Sequence, residues 1–338
     1  LTLSHKTGLY NGSAMWQHCG DCNNISVGNS PCRPTRRRVS LHDKMTQFSV
    51  TPNPDDPGLT RNIEGIDQDG APVAVSVVEE RPLTIYLNRQ EIVTVMTIRD
   101  RPEQLAVGYL LNQNMLAGDD EITGIDYDEE VETVVVRTAR TTDHEELLRR
   151  KTLTSGCAQG TMFGDLMDRF DSVILDKNYS IRTSWIYSLS KKINTQPSLY
   201  LKAGAIHGCV LCERDEPLVY MEDVGRHNAI DKIAGFMFLE GWKPEGKMFY
   251  TTGRLTSEMV IKAVQMQIPV LISRSGFTAW GVDLARRAGL TLIGRARGSR
   301  FVALSGAERI IYDADARDVA AEGGRHQRKS ARADSASD

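Results

Sequence analysis

The chain has 338 residues, with 41 Lys and Arg against 44 Asp and Glu for a formal charge of −3, and it is 41% hydrophobic and 25% charged. These are the values of an ordinary globular protein with ample core, and the weakly acidic balance excludes a protein that coats nucleic acid through bulk charge. No apolar run reaches the roughly 18 residues of a membrane-spanning helix, and no basic flank leads into an apolar stretch at the start, so neither a membrane span nor a secretory signal is expected.

Residues 1–60 are rich in Asn, Gly, Ser, Pro and Thr and carry the basic cluster Arg33, Arg36, Arg37 and Arg38. They read as a disordered leader, within which Met45 would serve as an initiator. Residues 61–150 read as a small N-terminal α+β subdomain. The β-branched runs 73–78, 83–87 and 92–98 predict an antiparallel meander. Asp100 with Glu103 has capping-box spacing ahead of a helix bearing Leu105, Tyr109 and Leu116, and 131–137 is a further strand. Residues 151–313 change rhythm. Strand-like runs at 199–201, 218–221, 248–252, 269–273 and 291–294 alternate with helix-like ones at 228–239, 257–267 and 279–288, the pattern of a layered α/β domain with a largely parallel sheet. Residues 314–338 read as a disordered tail. The fold class is therefore α/β within an α+β whole. Ligands of such sheets lie beyond the carboxyl ends of the strands, where 222–227, 253–256, 274–278 and 295–300 supply Gly, Arg, Ser, Thr and His.

The six cysteines, Cys19, Cys22, Cys32, Cys157, Cys209 and Cys212, do not make a disulfide scaffold in a chain this long, which points to a reducing compartment. Cys157 sits in the small-residue loop 154–160 ahead of a helical stretch. A helix N-terminus favours the thiolate, so the residue is either a nucleophile or an inert buried thiol. Cys209 and Cys212 form a C-x-x-C that is redox-active, half of a metal site, or simply part of a strand. A strand would point the two thiols to opposite faces, and no metal site is expected from them. His207-Gly208-Cys209 lacks the glutamate of the deaminase H-x-E signature. The turn at 222–232 is either a functional cluster around His227 or a capped helix start with an Asp223–Arg226 pair. The turn at 252–258 is either a phosphate-holding helix start or an ordinary cap. Arg295-Ala296-Arg297-Gly298-Ser299-Arg300 is a phosphate-binding loop or an exposed basic hairpin.

The run Glu222-Asp223-Val224-Gly225-Arg226-His227-Asn228-Ala229-Ile230-Asp231-Lys232 resembles very closely the signature of the formate dehydrogenase accessory sulfurtransferase family, FdhD. Thr252-Gly253-Arg254 with Ser257-Glu258-Met259-Val260, Gly289 to Gly294, and Arg81-Pro82-Leu83-Thr84-Ile85 resemble it too, so the likeness spans about 78–312. The resemblance implies a cytoplasmic homodimer with a cytidine-deaminase-like layered C-terminal domain. It implies a sulfurtransferase that takes sulfur from a cysteine desulfurase as a persulfide. The sulfur then goes to the molybdenum cofactor, Mo-bis(molybdopterin guanine dinucleotide), for the molybdenum subunit of formate dehydrogenase. It implies Cys157 as the sulfur-bearing residue and Arg295, Ala296, Arg297, Gly298, Ser299 and Arg300 as the cofactor-binding segment, with no structural metal and no nucleic-acid or membrane partner. Three positions depart from the family pattern. Gly160 stands in place of the second loop cysteine, Ala158 in place of Gly, and Arg295 where Phe is common. Loss of the second cysteine leaves a single-persulfide route, or alternatively a chaperone that holds the cofactor without covalent sulfur transfer.

Overall fold

A computed structural model of the chain describes residues 48–140, 152–153, 160–161 and 163–315. Its first part is built of hairpins. β1 (Thr60–Ile66) pairs with β2 (Pro72–Val78), and β3 (Arg81–Leu87) pairs with β4 (Gln90–Thr97), both antiparallel. α1 (Pro102–Asn112), β5 (Ile122–Asp128) and β6 (Thr133–Thr138) complete a four-stranded sheet in the order β4-β3-β6-β5. The expected three-strand meander is thus corrected. The second edge of β3 is taken by β6 in parallel register, Thr84 opposite Thr133, so β2 cannot pair with β3 and pairs with β1 alone. Period-2 alternation in β3 sends Leu83, Ile85 and Leu87 into the core, where they meet Leu105, Val107 and Leu110 of α1. The expected capping box is corrected as well. Arg101, in the left-handed region at φ 52°, precedes the helix, no side chain caps it, and the Asp100 carboxylate turns instead to the buried ammonium of Lys232. A buried cation is a stronger partner for a carboxylate than an exposed helix N–H.

β7 (Thr152–Leu153) and β8 (Gly160–Thr161) form a short antiparallel ladder. They are followed by α2 (Phe163–Ser172), β9 (Ile181–Arg182), α3 (Thr183–Thr195) and α4 (Leu199–Ala203). Residues 199–201 are therefore helical rather than extended. Ser198 Oγ accepts from the Leu201 N–H, and the Glu222 carboxylate accepts from the N–H groups of Leu199 and Tyr200, which satisfies the first turn. The remaining elements are β10 (His207–Glu213), β11 (Glu216–Asp223), α5 (Arg226–Leu239), β12 (Lys247–Thr251), α6 (Ser257–Gln265), β13 (Val270–Ser273), α7 (Ala279–Ala288), β14 (Thr291–Arg297), β15 (Arg300–Ser305) and β16 (Ile310–Ile311).

A six-stranded sheet runs β11-β10-β12-β13-β14-β15. Neighbours are parallel only from β12 to β13 to β14, so the expected largely parallel sheet is in fact mixed. The reason is local. Arg214 and Asp215 alone join β10 to β11, and Gly298 and Ser299 alone join β14 to β15, and such tight turns permit only antiparallel pairing. Helices cover both faces. Leu211, Met221, Phe249, Leu271 and Leu292 face Ile230 and Ile233 of α5 and Met259 and Val260 of α6. Val210, Tyr220, Tyr250, Ile272 and Ile293 face Ile186, Leu189 and Ile193 of α3.

α1 and α5 cross with almost no side-chain spacer. A Cβ added at Gly108 would stand 1.7 Å from the Asp231 carbonyl oxygen, and one at Gly235 would stand 1.9 Å from that of Gln104. Residues 48–60, assigned to the leader on composition, also join the body. Ser49 N–H donates to Leu218 O, Tyr220 N–H donates to Val50 O, and Leu59 is buried. Among the described residues no helix is long and apolar enough to cross a membrane.

Candidate functional site

Strands β11, β12, β13 and β14 all point the same way, because β10 is antiparallel to both β11 and β12. Their carboxyl ends therefore share one edge of the sheet, and the loops that leave it are stitched together. Thr252 N–H donates to Gly208 O, and Leu255 N–H donates to Gly276 O. Arg295 N–H donates to Ser275 O at 2.7 Å, and Ser273 Oγ donates to Gly253 O at 2.6 Å. Segments that are distant in sequence thus form one rigid rim.

The β14–β15 hairpin stands on this rim. Arg295 takes the left-handed conformation at φ 55° within an irregularity of the ladder, and Gly298 takes φ 58° in the turn, as the tight connection requires. Arg295, Arg297 and Arg300 are exposed and Ser299 is half-buried, and together with Phe301 and Val302 they line a cleft of about 720 Å³. Arg297 is anchored by donating Nε–H to Arg274 O at 3.2 Å. Arg274 in turn stacks over Tyr200 at 5.2 Å and donates to Asn194 Oδ1. Ala296 is different. It is 1% exposed and packs into the core beside Ile293 and Tyr187, so its side chain faces away from the cleft. An open cleft with several guanidiniums and an aromatic floor suits a large anion that carries flat rings.

Next along the rim come His207, Arg226, His227 and Arg254. Arg226 lies against Gly253, where an added Cβ would touch its side chain at 3.0 Å. Burial first, and then the charges of Arg226, Arg254 and His227, hold the His207 imidazole below its ordinary pKa. His227 is also held low, chiefly by burial, although its Nε2 lies 2.9 Å from Glu258 Oε2 and that contact opposes the shift. Both rings are therefore neutral near pH 7.

Beneath the rim is a buried ionic layer. Lys232 Nζ lies 2.6 Å from Asp223 Oδ2 and pairs with Asp100 as well. Asp223 also accepts from Thr97 Oγ1 at 2.5 Å and from Asn228 Nδ2 at 2.9 Å. Burial opposes charge on Lys232, but the two carboxylates outweigh it and hold its pKa above the usual value. Lys262 pairs with Asp231 at 2.6 Å, and Asn112 Nδ2 donates to the same carboxylate. The motif at 222–232 is thus mostly scaffold. Asp223 pairs with Lys232 rather than with Arg226, and only Arg226 and His227 of the run stand on the rim. The signal for the pairing was present in the i, i+9 spacing of Asp223 and Lys232 across the turn, but the third partner, Asp100, comes from a distant segment.

The thiols of Cys209 and Cys212 are free and fully buried, and they lie in cores on opposite sides of the sheet, as the strand reading expected. They cannot share a metal ion. Burial pushes the Cys209 thiol up to about 12 and that of Cys212 higher still. Cys157 and Ala158 lie outside the described residues. The ladder that flanks them sets Leu153 opposite Gly160.

The model of the FdhD/NarQ family matches residues 78–311. The chain belongs to this family. A sulfur carrier protein FdhD from Listeria monocytogenes is 30% identical over 238 residues, 70% of this chain and 91% of that protein. The protein of the same name from Bacillus subtilis is 29% identical over 239 residues, 69% of this chain and 90% of that protein. A crystal structure assigned to a formate dehydrogenase accessory protein from Desulfotalea psychrophila superposes with a TM-score of 0.60 at 27% identity, covering 75% of this chain and 99% of that one. The mixed α/β architecture is therefore that of the FdhD/NarQ family. The cationic rim, the Lys232 layer and the β14–β15 hairpin all fall within the matched residues.

Proposed function

We propose that the chain is a sulfur carrier with sulfurtransferase activity that serves formate dehydrogenase. Cys157 takes sulfur from a cysteine desulfurase. Its thiolate attacks the outer sulfur of the donor's persulfide, and the donor thiolate leaves. The carrier then offers the outer sulfur of its own persulfide to the molybdenum of the bis(molybdopterin guanine dinucleotide) cofactor: the S–S bond breaks, its electron pair stays on Cys157, which returns as a thiolate, and the reduced metal supplies the two electrons that make the transferred sulfur a sulfido ligand, Mo(IV) becoming Mo(VI). The cofactor is substrate here, and its anionic guanine nucleotide arms lie on the Arg295, Arg297 and Arg300 cleft. The observation that carries the reading is this cleft, which is exposed, cationic and seated on the sheet edge where His207, Arg226 and Arg254 also gather. Arg226 and Arg254 supply further positive charge, and Lys232 holds Asp223 and hence the turn that presents Arg226. The reading further takes the body as a cytidine-deaminase-like layered domain that works as a cytoplasmic homodimer.

The test uses the full chain, a cysteine desulfurase and cysteine. The expected result is a gain of one sulfur atom in mass, mapped to Cys157 and absent in Cys157→Ser. Full formate dehydrogenase activity with Cys157→Ser in cells that lack their own copy would refute the carrier role. One sequence fact favours a second reading, a non-covalent cofactor chaperone, because Gly160 stands where the family's loop has its second cysteine. Retained binding of the cofactor with no sulfur adduct would select it.

A further inference from the structure

Three successive carbonyls of the loop after β13 accept hydrogen bonds from neighbouring loops. Arg274 O accepts from the Arg297 Nε–H at 3.2 Å, Ser275 O from the Arg295 N–H at 2.7 Å, and Gly276 O from the Leu255 N–H at 2.9 Å. The Arg274 side chain leaves the loop toward the helices. Its guanidinium donates to Asn194 Oδ1 of α3 at 3.0 Å and lies 5.2 Å from the centre of the Tyr200 ring on α4. α4 is itself fixed, because the Glu222 carboxylate accepts from the Leu199 and Tyr200 N–H groups. Arg274 and Tyr200 are both half-buried, so their cation–π attraction is partly shielded from water. A brace thus runs from α3 and α4 through one side chain to the carbonyl that holds Arg297. Neither Arg274 nor Tyr200 is among the residues that line the arginine cleft.

Arg297 is exposed. A long exposed side chain loses rotamer freedom when it grips a ligand, and that loss weakens binding. Here part of the ordering is done before the ligand arrives. With Nε–H held by the Arg274 carbonyl, the plane of the guanidinium is set, and its two Nη groups are left for a phosphate to meet end-on. We propose that Arg274, braced by Tyr200 and Asn194, is a positioning residue that pre-orders Arg297 for a phosphate of the bound nucleotide. The inference rests on the reading that lays an anionic guanine nucleotide arm on this cleft. It adds that residues the ligand does not touch set part of the affinity, through a brace that begins on the far side of the loop from the hairpin.

The test is calorimetric titration of the full chain with guanosine diphosphate, together with the heteronuclear NOE of the Arg297 Nε–H in the ligand-free protein. Arg274→Ala and Tyr200→Leu should each weaken binding by about twofold to tenfold, the cost of ordering one long side chain on binding. Both should also make the Arg297 Nε–H mobile on the nanosecond scale that the NOE reports. Arg274→Lys should restore neither property, because it keeps the charge but loses the planar fork. In an Arg297→Gln background, Arg274→Ala should weaken binding by less than about twofold more, since the side chain it positions is gone. Tyr200→Leu leaves the loop itself untouched and keeps the test valid should Arg274→Ala fold poorly. Undiminished affinity in both single variants, an unchanged NOE, rescue by lysine, or losses that simply add in the double variant would each overturn the proposal. A failure of the cleft reading is distinguishable, because Arg297→Gln alone would then leave the affinity unchanged, and the proposal would fall with it.

Discussion

Glu222 is a carboxylate in surroundings far from those of an ordinary one. It is 1% exposed, and burial pushes its pKa from 4.5 up to about 7, against the pull of the Tyr200 and Leu199 N–H groups and of Lys232, and with the help of Asp100. The raised value means that the folded protein binds more protons than the unfolded chain between about pH 4.5 and about 7. Stability from this group is therefore complete below pH 4.5 and lost as pH rises through about 7. His207 and His227, with depressed values, give the opposite slope below their ordinary pKa of 6.5. Denaturant unfolding of wild type and Glu222→Gln across this range should show a wild-type component that falls with pH and is missing in the variant. An unchanged difference between the two proteins at all pH values would contradict it. The buried thiols give a second prediction at this scale. Cys209 and Cys212 should resist iodoacetamide in the native chain and react only in denaturant, as peptide mass mapping would show, because the nucleophile is the thiolate and burial suppresses it.

Among the elements, the α1–α5 crossing is the tightest joint. The motif at 222–232 builds one side of it and the first half of the body builds the other. Gly108→Ala must push the helices apart, so it should cost at least about 1–3 kcal/mol, the usual range for overpacking a well-filled core. Gly118→Ala, which meets nothing within 4 Å, should be close to neutral. A comparison of denaturation midpoints decides the matter, and equal midpoints would mean that the crossing is looser than its geometry. Sequence periodicity found α6 and α7 and most of the strands because each has a clear apolar face, and it found α5, which is buried nearly all round, by its density of apolar residues. It missed α4, whose few residues are helical only through acceptors supplied by Ser198 and by Glu222 from another element. It missed the partner of β2 for the same kind of reason, since pairing is chosen by which edge is free and not by the strand's own residues.

For the whole molecule, the formal charge of −3 conceals a strongly cationic edge. Arg226, Arg254, Arg274 and the hairpin arginines Arg295, Arg297 and Arg300 lie along one edge of the sheet because the strands that precede or carry them end together. If the proposed cofactor substrate lies on this edge, guanosine diphosphate, which has the chemistry of one of its ends, should bind there and weaken as salt screens the field over a Debye length of roughly 8–10 Å. Arg297→Gln/Arg300→Gln should bind it at least about tenfold more weakly, with a shallower salt dependence, since two charge-assisted contacts are gone. Its melting point should hardly change, because both side chains are exposed. Calorimetric titration at two salt concentrations checks this, and a salt dependence as steep as that of wild type would place the nucleotide elsewhere.

The family was readable from the chain alone, because a run such as 222–232 is set by local demands: a tight turn, a helix start, and buried charges at fixed spacing. The arginines of 295–300 were readable as a cluster for the same reason. Their direction was not. Whether Ala296 faced the cleft or the core, and whether Asp223 chose Arg226 or Lys232, were decided by long-range packing. A buried charge or a free strand edge takes the best partner that the fold brings within reach, and that partner can lie anywhere in the sequence.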